Sequence, residues 1–329
     1  MTAVGVHPNL AEPGRPVIVV YGPTASGKSD LAVSLAERLD GIVVNADSLQ
    51  LYTELKILTA RPDDSALSRA QHRLFGILPV SEPGSAALWR DLALSEIAAA
   101  RALGKYPIIT GGSGLYLKTL IEGLSPVPPA DAEARARASA LHDEIGGEAF
   151  RVALASRDPV AATRLMAGDR QRLIRAWEVV EATGTSLSDW QKQPRDPAHR
   201  LTFYFVGLMP ERSHLYERID RRFETMLELG ALAEATRFDA LRLSPSLPSN
   251  KALGLPELRR HIRGEIELSA ATRLAQQASR NYAKRQVTWF RHQLPIENNS
   301  STSHVRHAQF AELSERNLDE IISFILRPG

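Results

Sequence analysis

The sequence predicts an α/β protein, a P-loop core with a parallel sheet plus an inserted α-helical domain. Three observations carry that expectation. Short apolar runs alternate with helix-period segments, and the first run leads through a glycine-rich loop into a helix. A stretch of roughly ninety residues then separates the third apolar run from the fourth.

Pro16-Val-Ile-Val-Val-Tyr21 is the first strand candidate, and Lys28 to Leu39 follows as a helix with apolar residues at Leu31, Leu35, Ala36 and Leu39. Gly41-Ile-Val-Val-Asn45 is a second β-branched run. Tyr106-Pro-Ile-Ile-Thr110 is a third, after the alanine-rich helical stretch Ala87 to Leu103. Strands alternating with helices imply a parallel sheet. Ser125-Pro-Val-Pro-Pro-Ala-Asp131 reads as a hinge, and Ala, Arg, Glu and Leu then alternate helically to about Glu181. Within this insert Asp169 is an N-cap candidate and Gly184 a C′ residue. They bound a helix with Leu173, Ala176, Trp177 and Val180 on its apolar face, so Arg172 and Arg175 project together. Leu201-Thr-Phe-Tyr-Phe-Val-Gly207 is the fourth strand candidate. Helical patterns run from His214 to about Leu243 and from Ser269 to Gln293, before a polar break at Asn298-Asn-Ser-Ser-Thr-Ser303. The tail from His304 suits a terminal helix without recognisable chemistry, and no internal repeat is present. The expected division is therefore a core of residues 1–122 and 207–329, with residues 123–206 inserted.

Composition narrows the chemistry. The 329 residues carry 40 Lys plus Arg against 38 Asp plus Glu, a net charge of +2, so basic surfaces must come from local clustering. Cysteine is absent, which excludes disulfides, thiolate catalysis and Cys-ligated metal, and suits a reducing cytoplasm. Residues 1–16 lack the basic and apolar regions of a secretory leader, and no apolar run approaches the ~18 residues of a membrane span. A cytoplasmic protein with no membrane association is expected.

Gly22-Pro23-Thr24-Ala25-Ser26-Gly27-Lys28-Ser29 fits G-x-x-x-x-G-K-[ST] between a strand and a helix. Backbone N–H groups and a helix N-terminus cradle polyphosphate there, Lys28 adds a point charge, and the Ser29 hydroxyl suits Mg²⁺. A nucleotide-binding NTPase or nucleotide kinase would hold its metal with an acid ending another strand. The third and fourth runs end without one. Only Gly41–Asn45 leads to a carboxylate, Asp47, which reads either as a catalytic base or as an Asx-turn. Strand ends gather at the ligand crevice of such sheets, so Asp47, the P-loop and Ser113 should converge. From Ala270 to Ile296 there are five Lys/Arg and no acid, and Arg273, Arg280, Lys284 and Arg291 share one helix face. That stripe suits nucleic-acid phosphates, with Tyr282, Trp289 and Phe290 as stacking candidates or core residues.

Six segments together resemble the tRNA dimethylallyltransferases (tRNA isopentenyltransferases) of bacterial type. They are Gly22–Ser29, Asn45-Ala-Asp-Ser-Leu-Gln-Leu-Tyr52, Thr59-Ala-Arg-Pro62, Gly111-Gly-Ser-Gly-Leu-Tyr116, Asp169-Arg-Gln-Arg-Leu-Ile-Arg175 and Ala283-Lys-Arg-Gln-Val-Thr-Trp-Phe-Arg291, in order across about residues 17–292. The resemblance implies transfer of a dimethylallyl group from dimethylallyl diphosphate to N6 of adenosine 37, beside the anticodon, with release of diphosphate. The related alternative is an isopentenyltransferase acting on free adenine nucleotides. By position in the family motifs, Asp47 is the base, while Lys28, Ser113 and Arg222 join it in catalysis. Arg222 is preferred over Arg218 as the clamp on the leaving group. The P-loop, with Thr24 as a further contact, takes the diphosphate, and Ser29 tentatively takes Mg²⁺. Contacts to the tRNA anticodon stem-loop fall to Asp47, Ser48, Leu49, Gln50, Ser113, Arg135, Gln171, Arg172, Leu173, Ile174, Arg175, Lys284, Arg285 and Arg291. A monomer is expected. Ser249-Asn-Lys-Ala-Leu-Gly-Leu-Pro-Glu257 departs from the family pattern, with Leu255 and Pro256 in place of aromatic and basic residues. The anticodon-loop contact of that segment stays open.

Overall fold

The computed structural model describes residues 15–129, 131–195, 201–294 and 305–327. The lead (residues 1–14) and the polar break at Asn298–Ser303 lie outside them. Strand β1 (Val17–Tyr21) runs through the glycine loop into helix α1 (Lys28–Leu39), and β2 (Gly41–Asn45) returns beside it. Helix α2 (Asp64–Arg69) and the short β3 (Gln71–Arg73) precede α3 (Ala86–Ala102), β4 (Tyr106–Gly111) and α4 (Gly114–Glu122). Four helices follow: α5 (Ala132–Ala155), α6 (Pro159–Arg164), α7 (Arg170–Thr183) and α8 (Leu187–Lys192). The chain continues through β5 (Phe203–Leu208), α9 (Arg212–Glu228), α10 (Ala231–Ala240), α11 (Leu255–Ile262), α12 (Leu268–Gln293), β6 (Val305–Phe310) and α13 (Glu315–Leu326).

The six strands form one sheet of order β3-β2-β4-β1-β5-β6, parallel at every pairing. Strands β1, β2, β4 and β5 are buried along their whole lengths, as continuous β-branched runs covered on both faces must be. The edge strands β3 and β6 are partly exposed. On one face Ile18, Val43, Ile108 and Val206 pack with Leu31 and Leu35 of α1 and Ile321 and Ile325 of α13. Each such side chain contributes about 1.5–3 kcal/mol on leaving water. Register aligns Tyr21 with Gly111 and Gly207, and Asn45 with Thr110. The strand ends that carry the glycine loop, Asp47 and Ser113 therefore stand side by side, at the carboxyl edge where ligands of open α/β sheets bind.

The chain divides into two compact units, Met1–Ile121 with His199–Gly329, and Glu122–Ala198. In the second, α5, kinked at Gly146, packs with α6 and α7 around Phe150, Leu154, Leu173 and Trp177. Gly184 ends α7 at φ 72°, in the left-handed region that glycine enters without strain.

Three expectations need correction. The insert does not extend to residue 206, because Phe203–Val206 pair with Val17–Val20 inside the sheet. The helical pattern from His214 to Leu243 is two helices, since Gly230 at φ 102° ends one and opens the next. The tail supplies α13 but also β6, whose half-exposed alternation of polar and apolar residues resembled no strand run.

Candidate active site

The glycine loop builds the floor of a cavity of about 510 Å³. Thr24 to Ser29 line it together with Asp30, Asp47, Gln50, Thr59, Ala60, Arg218, Arg222 and Leu313. Gly22 and Pro23 do not reach it and act on the loop's shape. A Cβ on Gly22 would meet the Leu208 carbonyl and the Ser26 hydroxyl, and the Pro23 carbonyl accepts from Ser26 N–H and Lys28 Nζ. Ala25 (φ 64°) and Gly27 (φ 90°) turn the backbone into the left-handed region, the alternation that makes an anion-binding nest. The α1 N-terminus opens at Gly27 without a side-chain cap, leaving first-turn N–H groups for a ligand. The Ser26 hydroxyl is buried against Gly22 and has no hydrogen-bond partner among the described residues.

Positive charge is concentrated here. Burial, with Arg222 adding to it, pushes the Lys28 ammonium down to about 8, against the opposing pull of Asp47. Burial likewise lowers Arg222, again opposed by Asp47. Arg222 Nη2 donates to Thr24 Oγ1 at 2.5 Å, which fixes the guanidinium over the loop. Arg218, one turn earlier on α9, is exposed at the cavity rim.

Asp47 stands across from the loop on the turn after β2. Its Oδ1 accepts from Leu49 N–H at 3.0 Å, and Asn45 clamps the turn through Oδ1 to Asp47 N–H and through Nδ2 to the Asp47 and Leu74 carbonyls. The two readings of Asp47 thus coexist: one oxygen closes an Asx-turn, while Oδ2 has no hydrogen-bond partner among the described residues. Trp89 Nε1 donates to the Asn45 carbonyl at 2.6 Å, and its ring stacks on Tyr116 at 4.6 Å, so the end of β2 is held from beneath. Ser113 Oγ accepts from Ser48 N–H at 2.9 Å. It joins the β2 and β4 ends but does not line the cavity. Gln50 donates to the Thr59 and Ala60 carbonyls, placing that segment on the cavity wall, while Leu49 packs on a core cluster.

Helix α12 runs alongside. Ala271, Ala275, Ser279 and Ala283 form its buried side. Lys284, Arg285 and Arg291 are exposed, and no carboxylate pairs with them among the described residues. Arg280 leaves the expected stripe, because Asp220 neutralises it at 2.5 Å. Phe290 is core, edge-on to Tyr21 at 5.1 Å, and Trp289 covers Gly114, where a Cβ would strike its ring. Tyr282 remains half-buried, with Arg285 5.7 Å from its ring centre. Burial, reinforced by the Asp47 charge, raises its phenol pKa, so it stays protonated. Gly254 and the departing Leu255 enter the core around Phe223, so Leu255 presents nothing to a ligand.

In the helical unit, Leu173 and Ile174 are buried on the apolar face of α7, which corrects their expected role in touching tRNA. Arg175 bonds to the buried Glu178 at 2.6 Å and to the Pro128 carbonyl, and Arg135 stands 3.6 Å from the same carboxylate. Arg172 is three-quarters exposed, with Asp169 3.9 Å away, and Gln171 is exposed.

Residues 50–293 match the family model described as IPP transferase. The chain belongs to that family. A tRNA dimethylallyltransferase of Rhodospirillum centenum is 55% identical over 281 residues, 85% of this chain and 90% of the relative. One from Paramagnetospirillum magneticum is 52% identical over 87% of this chain and 90% of its own length. Among solved structures, the full-length tRNA isopentenylpyrophosphate transferase of Bacillus halodurans superposes with a TM-score of 0.65 at 31% identity, covering 94% of this chain and 95% of the other. A eukaryotic dimethylallyltransferase acting on tRNA shares the fold, with a TM-score of 0.77 at 24% identity, covering 94% of this chain and 79% of the other. Family sequence motifs did not point to Gln286 as a loop contact or to Leu313 as a wall. A polar residue on the buried side of α12 was the available signal for the first, and none existed for the second.

Proposed function

We propose that this chain acts as a monomer in the cytoplasm and transfers the dimethylallyl group of dimethylallyl diphosphate to N6 of adenosine 37 in the tRNA anticodon stem-loop, releasing diphosphate. The observation that carries the reading is that one cavity has an anion cradle on one side and the half-satisfied Asp47 carboxylate on the other. The names of the family relatives support the acceptor.

Nest N–H groups, Lys28 and Arg222 hold the diphosphate. As the C1–O bond breaks, charge grows on the leaving oxygen, where Lys28 and Arg222 stabilise it. Adenine N6 attacks C1, and its proton passes to Asp47 as the N6–C1 bond forms. Such base assistance contributes about 10²–10⁴-fold. Ser113 keeps the Asp47 turn in register with β4. The adenine leaves its stack to enter the cavity, and Lys284, Arg285 and Arg291 hold tRNA phosphates, with Arg172 and Gln171 offering further contacts. A Mg²⁺ ion fits this donor set. No three His, Asp or Glu side chains gather as a cage among the described residues, whereas Ser29 lines the cradle and Mg²⁺ retains water and phosphate ligands. Ser29 and the diphosphate would hold it, and it would offset leaving-group charge.

Incubation with labelled dimethylallyl diphosphate, Mg²⁺ and either unmodified tRNA or AMP tests the reading. Label on tRNA alone is the expected result. Label on AMP alone overturns the tRNA acceptor, and ATP-dependent phosphorylation without prenyl transfer overturns the reaction.

A further inference from the structure

Gln286 is a buried amide on α12 that bonds both to the phosphate loop and to the residue that follows β4. Its Oε1 accepts from the Thr24 backbone N–H at 2.8 Å, inside the phosphate loop. Its Nε2 donates to the Gly112 carbonyl at 2.9 Å, one residue before Ser113. The approach needs glycine at 112, because a Cβ there would collide with Nε2. Thr24 is consequently fixed twice, by α12 through its N–H and by Arg222 of α9 through its hydroxyl. Both amide groups of Gln286 are satisfied and buried, so substrate has no access to them. The adjacent Lys284 and Arg285 point to solvent on the same helix.

We propose that Gln286 is a positioning residue that locks the diphosphate loop to the carboxyl end of β4, so that donor C1 is delivered to the strand ends bearing Asp47 and Ser113. The inference rests on the transferase reading above. It ties the donor cradle to the helix whose opposite face meets RNA. Losing Gln286 should therefore disturb the donor while leaving tRNA affinity intact.

Gln286→Met keeps the size and removes the bonds to Thr24 and Gly112, with the side-chain contact to Tyr282, and Gln286→Glu keeps an acceptor for Thr24 but loses the donor to Gly112. Gln276→Met is the control. It lies about 15 Å along the same helix and loses buried bonds to the Asp220 carbonyl and Glu224 instead. Expected for Gln286→Met is a rise in KM for dimethylallyl diphosphate and a fall in kcat, each about tenfold or more, with an unchanged Kd for tRNA. Gln286→Glu should fall between that variant and wild type, and Gln276→Met should match wild type in both constants. Wild-type KM and kcat in Gln286→Met, or equal losses in Gln276→Met, overturn the proposal. If Gln286→Met does not fold by circular dichroism, Gln286→Glu carries the test, with raised donor KM expected and wild-type KM overturning it. A wild-type protein that prenylates nothing sinks the transferase reading instead. Inorganic pyrophosphate binding to wild type and Gln286→Met then still tests the lock, with weaker binding to the variant supporting it and equal binding overturning it.

Discussion

The Lys28 ammonium occupies a place that disfavours its own charge, and two measurable consequences follow. With its unliganded pKa near 8, a bound diphosphate raises that value, so binding draws in a proton above pH 8 and none well below it. Affinity for dimethylallyl diphosphate without tRNA should hold steady below pH 8 and fall up to about tenfold per pH unit above it. Calorimetry in buffers of different ionisation enthalpy checks the proton uptake, and Lys28→Met should abolish this dependence. The sign for folding is opposite to that of a salt-bridged lysine. A depressed native pKa destabilises the empty protein below pH 8, and the penalty fades as pH climbs toward the unfolded value. Lys28→Met should accordingly raise the Tm of the unliganded protein at pH 7, with the gain shrinking at alkaline pH. Across the cavity, Asp47→Asn keeps an oxygen for Leu49 N–H and loses the base. Its kcat should drop about 10²–10⁴-fold while the tRNA Kd stays within twofold. A preserved kcat would remove Asp47 from the chemistry.

Helices α12 and α7 show what charge periodicity reveals and what it hides. Lys284 and Arg291 carry no partner carboxylate among the described residues, so changing both to Ala should weaken tRNA binding and reduce the log–log salt slope by about 1.5, two phosphate contacts' worth. Filter binding across a salt series measures both. On α7 the carboxylate of Glu178 lies buried between Arg175 and Arg135. Glu178→Gln should destabilise the helical unit by about 1–3 kcal/mol, read from denaturant unfolding of the full chain. The four central strands, the glycine loop and the Asp47 turn were legible in the sequence because each depends on local chemistry: β-branched runs, glycine freedom, an Asx side chain; the edge strands β3 and β6, short or half-exposed, were not. Arg280, Arg175 and Arg135 were not, since a helical wheel places a guanidinium on a face without showing that Asp220 or Glu178 waits there. Gln286 was hidden for the same reason. Its partners lie 262 and 174 residues away in the chain, and no local rule connects them.

The sheet as a whole is finished by a segment lying outside the matched family region. Strand β6 covers the edge of β5, Ile321 and Ile325 enter the main core, and Leu313 reaches the cavity. Truncation after Leu294 should expose the β5 edge and the α1 face it covers, lowering Tm and promoting aggregation. It should also weaken donor binding through loss of Leu313. Thermal unfolding, light scattering and donor affinity check these outcomes, and a soluble truncated protein with unchanged Tm would contradict the packing described.

Strand β1 lies between β4 and β5, and the helices of Glu122–Ala198 are encoded between those two neighbours. During synthesis the phosphate loop thus leaves the ribosome early, while Arg222 and Gln286 emerge long afterwards. A nascent chain therefore displays the most recognisable motif of the enzyme long before it has a working pocket, and competence waits until both Arg222 and Gln286 have been made.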